Sequence, residues 1–266
     1  MLPEPYPNGA QPLSAVAEGK LSLDEFMAQL GDEELIHLLG GQPNAGVSNT
    51  FGIGNLPEYG VPDITTADGP AGLRLSPEVG VCTTAWPCAT LLAATWDEAL
   101  TAEVGAAAAE EVKENNISVW LAPAVNIHRS PLCGRNFEYY SEDPLLTGKL
   151  ASAMVRGVQS QSVAATVKHF ACNNKETNRK NSDSRLSQRA LREIYLRAFE
   201  IIVRETRPWA IMSSYNIING RRASESRELL TDILRTEWGY TGMVMTDWWT
   251  RGEHYKELLA GNNLKM

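Results

Sequence analysis

From about residue 63 onward the sequence alternates in one sense. A short apolar run ends in a polar group, and an amphipathic stretch follows. Residues 63–67 lead into Asp68-Gly69-Pro70, 117–121 lead to Asn126 and His128, and 164–167 deliver Lys168-His169. Residues 210–213 then deliver Tyr215-Asn216, and 242–245 deliver Asp247. A further strand is expected within 89–94. Helices are expected over 97–115, from Pro144, over 187–206, over 226–238 and over 253–260. The 187–206 helix carries Leu191, Ile194, Tyr195, Ala198 and Ile202 on one side. That makes six strand–helix units, with 263–266 starting a seventh strand.

Strict alternation of this kind means a parallel sheet with helices outside it. Chemistry at strand C-termini suits a TIM barrel or a doubly wound sheet. No glycine-rich phosphate loop follows the first strand, and polar ends occur on nearly every strand rather than at one switch point. The expected fold class is therefore α/β, a TIM-type (β/α)8 barrel that is incomplete at its C-terminus, because the chain stops at Met266 before eight units are made.

Ahead of this pattern, residues 1–18 read as an extended lead-in, with four prolines in the first dozen positions. The barrel domain is expected over 19–266. Ser22-Leu23-Asp24-Glu25 is a capping-box pattern opening a short helix. Residues 32–39 form another, stopped by Gly40-Gly41. The Gly/Asn/Pro-rich stretch 41–62 reads as a loop.

Lys plus Arg total 24 against 32 Asp plus Glu, a formal net charge of −8. That balance excludes a nucleic-acid or anionic-membrane surface and suits a neutral ligand. Cys82, Cys88, Cys133 and Cys172 form no CxxC pair or Cys/His cluster, and read as reduced thiols without a metal. The first residues have no basic segment followed by an apolar one, so a cytoplasmic location is expected. No cofactor motif is present.

Asp247 follows an apolar strand directly and is flanked by Thr246, Trp248 and Trp249. A carboxylate beside flat aromatic faces is what a sugar-splitting site needs, so Asp247 is the candidate nucleophile. A helix N-cap or a structural ion pair is its other reading. Lys168-His169 could donate to adjacent sugar hydroxyls, although His169 alone also fits a satisfied core imidazole. The planar fork of Arg135 can grip two hydroxyls or orient a carboxylate. Asp68 can accept from vicinal diols, or serve as a turn aspartate before Gly-Pro.

Five motifs together carry a resemblance. They are Asp68-Gly69-Pro70-Ala71-Gly72-Leu73-Arg74, then Gly134-Arg135-Asn136-Phe137-Glu138 with Ser141-Glu142-Asp143-Pro144, then Lys168-His169-Phe170, Ser213-Ser214-Tyr215-Asn216 and Thr246-Asp247-Trp248. In this order the chain resembles the barrel domain of a glycoside hydrolase family 3 enzyme of the β-glucosidase branch. The resemblance implies retaining hydrolysis of terminal β-D-glucosyl residues with Asp247 as nucleophile. It implies Asp68, Arg135, Lys168 and His169 as hydroxyl ligands, Met212 and Tyr215 as pocket lining, and Trp248 as a wall toward the leaving group. It also implies a partner, an α/β sandwich domain or second chain, that supplies the acid/base glutamate. The substrate would be a β-glucoside or oligosaccharide, with no nucleic acid, membrane, cofactor or metal involved.

The family's Ala-Gly-Asn-Asp run appears here as Ala260-Gly261-Asn262-Asn263. The β-N-acetylglucosaminidase branch places an acid/base histidine shortly after Lys-His-Phe, but no histidine follows His169 until His254. A β-xylosidase and a catalytically impaired carbohydrate-binding fragment remain as alternatives. Within the chain, Glu176 is the internal acid/base candidate, while Glu138 and Glu142 read as braces for Arg135 and its loop.

Overall fold

The computed structural model describes residues 9–266 apart from 44, 45 and 49. Residues 1–8 of the lead-in lie outside the described residues, and helix α1, Ser14–Ala17, occupies part of what was expected to be extended. Helix α2, Leu23–Met27, opens with the anticipated capping box. Ser22 Oγ accepts from the Glu25 N–H at 3.2 Å, and Glu25 accepts from the Ser22 N–H at 2.8 Å. Helix α3 covers Asp32–Leu38.

Two expectations fail in the next segment. Residues 41–62 are not all loop, because strand β1, Gly52–Leu56, pairs antiparallel with β2, Val61–Asp68. The pairing supplies what Gly52-Ile53-Gly54-Asn55-Leu56 lacks in local strand preference. Residues 89–94 are not a strand either: Ala89–Thr95 is helix α4. A short Ala/Leu run has no period that separates a buried strand from a buried helix.

Helix α5, Glu98–Glu114, is capped by Asp97, and strand β3, Val119–Leu121, follows it. Helix α6, Pro144–Ser160, has Asp143 as its cap and proline in its first turn, as the sequence indicates. Strand β4 runs Ala164–Phe170 and carries Lys168 and His169 within it. A ribbon strand β5, Asp183–Ser184, precedes α7, Gln188–Ala190. A π-helical turn, Leu191–Tyr195, joins α7 to α8, Arg197–Thr206. Strand β6 is Ala210–Ser213, and the short β7, Ile217–Ile218, and β8, Arg221–Arg222, complete the ribbon with β5. A π-helical segment, Glu228–Glu237, leads to β9, Met243–Thr246, and then to α9, His254–Ala260.

The main sheet has the order β1-β2-β3-β4-β6-β9, parallel from β2 onward. Among the described residues five parallel strands are thus present where the sequence suggested six, the misplaced one being α4. The architecture is α/β with a curled sheet. Backbone pairing continues past both edges of this sheet through single bridges: Leu264 with Met245, Lys265 with Gly40, and Gln42 with Gly52. The Gly41 N–H donates to the Lys265 carbonyl at 2.8 Å, and the Lys265 N–H to the Leu39 carbonyl at 3.0 Å.

Successive strand residues serve two cores. Outward, Ala67, Ile211 and Val244 pack under the helices with Leu150, Phe199 and Leu230. Inward, Leu121, Met212 and Met245 meet Trp248, Leu264 and Met266 inside the curl. The helix layer is close-packed through small residues. At Gly157 on α6, a Cβ would collide with the Ala102 carbonyl of α5.

Candidate active site

The strand ends converge on one cavity of about 210 Å³. That is below the roughly 300–1,000 Å³ of clefts for drug-sized ligands, and so of a size for one small ring. Its lining includes Asp68, Arg135, Lys168, His169, Met212, Tyr215, Asp247 and Trp248, the nucleophile candidate and all the substrate-binding candidates of the sequence. Trp249, the second indole after Asp247, lines it as well, and so do Thr50, Leu121 and Arg179, which the sequence reading had missed.

Asp68 ends β2 and is held from both sides. Lys168 Nζ donates to its Oδ1 at 2.6 Å, and Arg74 Nη1 to its Oδ2 at 2.6 Å. Burial pushes this carboxyl up, but the two cations outweigh burial and hold it at about 2. Asp68 is therefore a fixed anion that partners Lys168, which is only 4% exposed. Its loop is shaped by Gly69, where φ is 149° and a Cβ would meet the Gly72 carbonyl and Trp120 Nε1.

His169 is fixed by its neighbours. The Asn126 side chain accepts from the His169 N–H at 2.9 Å and donates to its carbonyl at 2.8 Å. Arg135 Nη1 lies 3.0 Å from His169 Nε2 and can only donate, so Nε2 accepts. Nδ1 faces the Tyr139 hydroxyl at 3.5 Å, and that hydroxyl donates to the Asn173 carbonyl at 3.1 Å. Burial, with Arg135, Lys168 and Arg179 close by, drives the imidazole well below its ordinary pKa, so it is neutral.

Arg135 also pairs with Glu176, Nε to Oε1 at 3.0 Å, and approaches Glu138 at 3.6 Å. Glu138 is held a second time by Arg74 at 3.3 Å, in keeping with a bracing role. Glu142 is exposed and outside the cavity lining. Glu176, the internal acid/base candidate, is engaged by Arg135 and Arg179 and does not line the cavity.

Asp247 follows β9, and its backbone N–H donates to the Ser213 carbonyl at 3.1 Å. One carboxylate oxygen, Oδ1, accepts from the Trp248 N–H at 2.8 Å. The other, Oδ2, is buried without a hydrogen-bond donor and sits 3.8 Å from His169 Nε2. Burial raises this carboxyl above its ordinary range, against the pull of Lys168, the Trp248 N–H, Tyr215 and Arg135. Asp68 and Asp247 therefore have environments that shift their acidities in opposite directions. The Tyr215 hydroxyl donates to the Trp248 carbonyl at 2.7 Å, which fixes the indole-bearing turn after Asp247. Among the described residues no group of three or more His, Cys, Asp or Glu side chains could hold a metal ion.

The model of the glycosyl hydrolase family 3 N-terminal domain matches residues 57–259. The chain belongs to this family. It is 67% identical over 251 residues to β-glucosidase A of Butyrivibrio fibrisolvens, covering 94% of this chain and 30% of that protein. It is 48% identical over 216 residues to an exo-α-(1→6)-L-arabinopyranosidase of Bifidobacterium longum, covering 78% of this chain and 28% of that one. The solved structure of β-glucosidase 3B from Thermotoga neapolitana in complex with α-D-glucose superposes with a TM-score of 0.88 at 46% identity, covering 92% of this chain and 36% of that one. The family 3 chain thus spans about 30% of the length of the curated relatives it matches. No helix among the described residues is long and apolar enough to cross a membrane.

Proposed function

We propose that this chain carries the sugar pocket and the nucleophile of a retaining β-glucosidase. The observation that carries the reading is Asp247 Oδ2, a buried carboxylate oxygen with no donor, in a cavity of monosaccharide size. Asp247 attacks the anomeric carbon and forms a glycosyl ester, which water then cleaves. Its unpartnered oxygen is the attacking atom, while the Trp248 N–H holds the other. Asp68, Lys168, His169 and Arg135 bind ring hydroxyls, their mutual hydrogen bonds giving way to bonds with the sugar. Met212 and Tyr215 line the ring's site, and Trp248 separates it from the leaving group.

Glucose is the first glycone to test, on the strength of the 67% identical relative named a β-glucosidase. The 48% identical relative named for L-arabinopyranose makes that sugar the second.

The proton for the departing oxygen comes from outside these 266 residues, from a further domain or a second chain. The engagement of Glu176 with two guanidiniums supports this. A good leaving group needs little acid help, so an activated aryl glucoside should be cleaved, while cellobiose lags by about 10²–10⁴-fold. The deciding experiment uses a 2-fluoro glucoside with an activated leaving group. The expected result is a mass increment on the peptide containing Asp247, Trp248 and Trp249. Label on any other carboxylate, or none while the aryl glucoside is turned over, would remove Asp247 from the role.

A further inference from the structure

The cavity mouth carries a cluster of cations that a neutral sugar does not require. Trp249 lines the cavity yet is 67% exposed, and its ring meets Phe51 edge-on at 5.9 Å. Arg179 lines the same cavity, its guanidinium 4.9 Å from the centre of the Tyr215 ring, and Lys180 Nζ lies 5.0 Å from that ring. Lys180 also donates to the Trp249 carbonyl at 3.1 Å, and Arg251 donates to Asn181 Oδ1 at 3.0 Å. The loops after β4 and β9 are thereby joined: Arg179 and Lys180 flank the Tyr215 ring, Lys180 reaches the Trp249 backbone, and Arg251 is tied to the same loop through Asn181.

Of these three, Arg179 is ion-paired to Glu176, which Arg135 shares. Among the described residues neither Lys180 nor Arg251 has a carboxylate at ion-pairing distance. In a chain of net charge −8 this is a local reversal of sign at the opening of the site. An exposed indole offers a stacking surface for a flat ring, and guanidinium and ammonium groups beside it match a carboxylate.

Building on the glucosidase reading, we infer that Trp249, Arg179, Lys180 and Arg251 form a leaving-group subsite selective for an aromatic aglycone that bears a carboxylate. The ring stacks on Trp249 while the carboxylate is met by Arg179, Lys180 and Arg251. The three cations then act in substrate selection rather than in bond cleavage.

Binding of uncleaved ligands tests this without relying on turnover. The probes are 4-carboxyphenyl and 4-carbamoylphenyl 1-thio-β-D-glucopyranosides, near-isosteric and differing in charge, titrated calorimetrically into the whole chain, with glucose as reference. The carboxylate ligand should bind about fivefold more tightly than the carboxamide at low salt, with the ratio shrinking toward one as salt screens the charges. In Lys180→Met/Arg251→Gln the ratio should fall in the same way. If glucose and both thioglucosides bind but the wild-type ratio is one or below at low salt, this inference is overturned and the sugar pocket stands. If glucose and both thioglucosides fail to bind, the pocket reading falls and takes the inference with it.

Discussion

The inside of the curl and the helix layer around it are equally buried, and they use burial for opposite purposes. Between α5 and α6, Gly105, Ala108, Ala109 and Gly157 remove side-chain bulk so that two backbones approach closely, the Glu98–Arg156 ion pair lying outside that contact on the half-exposed rim. At the strand ends, Lys168, His169 and Asp247 are 4%, 2% and 8% exposed, and one carboxylate oxygen is left without a donor. The first region lowers the free energy of the fold. In the second, Asp247 is buried at a cost, while Asp68 is stabilised by its two cations. Disturbing the helix layer should cost stability and spare chemistry, whereas disturbing Asp247 should do the reverse.

The sharpest test of that contrast is Asp247→Asn. Turnover of an activated aryl glucoside should fall by on the order of 10³-fold or more. The melting temperature should hold or rise, because a desolvated, unpaired charge is removed. A variant that loses stability along with activity would place Asp247 among the structural groups.

Lys168→Ala comes next. It strips a charged partner from Asp68 and a donor from the pocket, and should weaken glucose binding by about 1–3 kcal/mol in calorimetry. Unchanged affinity would show that Lys168 serves Asp68 alone.

The helix layer is probed by Gly157→Ala, whose methyl meets the Ala102 carbonyl. Denaturant unfolding should report about 1–3 kcal/mol lost, with aryl glucoside kinetics at low temperature unaltered. Lost activity without lost stability would erase the distinction drawn between the regions.

The smallest effect is a pH dependence. The Asp68 carboxyl is held at about 2 in the fold against an ordinary 3.8. Between those values the unfolded chain binds the extra proton. The contribution of Asp68, about 2 kcal/mol, is present above pH ~4 and is lost as pH falls toward 2. Asp247 acts in the other sense, since its raised pKa means that acidification relieves a penalty. Asp68→Asn should flatten the acid limb of stability against pH, and an unchanged limb would mean that other carboxylates govern it.

The strand ends were legible because an apolar run that stops abruptly at a polar group has few structural uses, and five such runs in order define a common face. That logic assigned Asp68, Lys168, His169 and Asp247 to one place without any coordinates. It failed where local sequence is ambiguous. Residues 89–94 could be buried as strand or helix, and only packing under Tyr140 and Met154 separates the two. Strand β1 owes its existence to pairing with β2, a contact invisible in Gly52-Ile53-Gly54. Arg179 sits in the aperiodic, polar run Asn173-Asn174-Lys175-Glu176-Thr177-Asn178-Arg179-Lys180, and nothing in its immediate neighbours marks it as cavity lining. Arg74 was present in the first motif, but its grip on Asp68 depends on the turn at Gly69.

The single bridges linking Met245, Leu264, Lys265, Gly40, Gln42 and Gly52 have a dynamic consequence. Pairs such as β6 with β9 share a ladder of four consecutive partners, whereas this seam is built from single bridges. It is the place where the curl should breathe first, its amide protons exchanging with solvent ahead of those of Ile211 and Val244. One end of the seam touches the reactive strand, where the Met266 N–H donates to Thr246 Oγ1 at 2.9 Å, one residue from Asp247. Opening there would loosen the anchor of Asp247 before any ladder breaks, so the local opening free energy of this seam, rather than global stability, sets how firmly the Asp247 carboxylate is aimed.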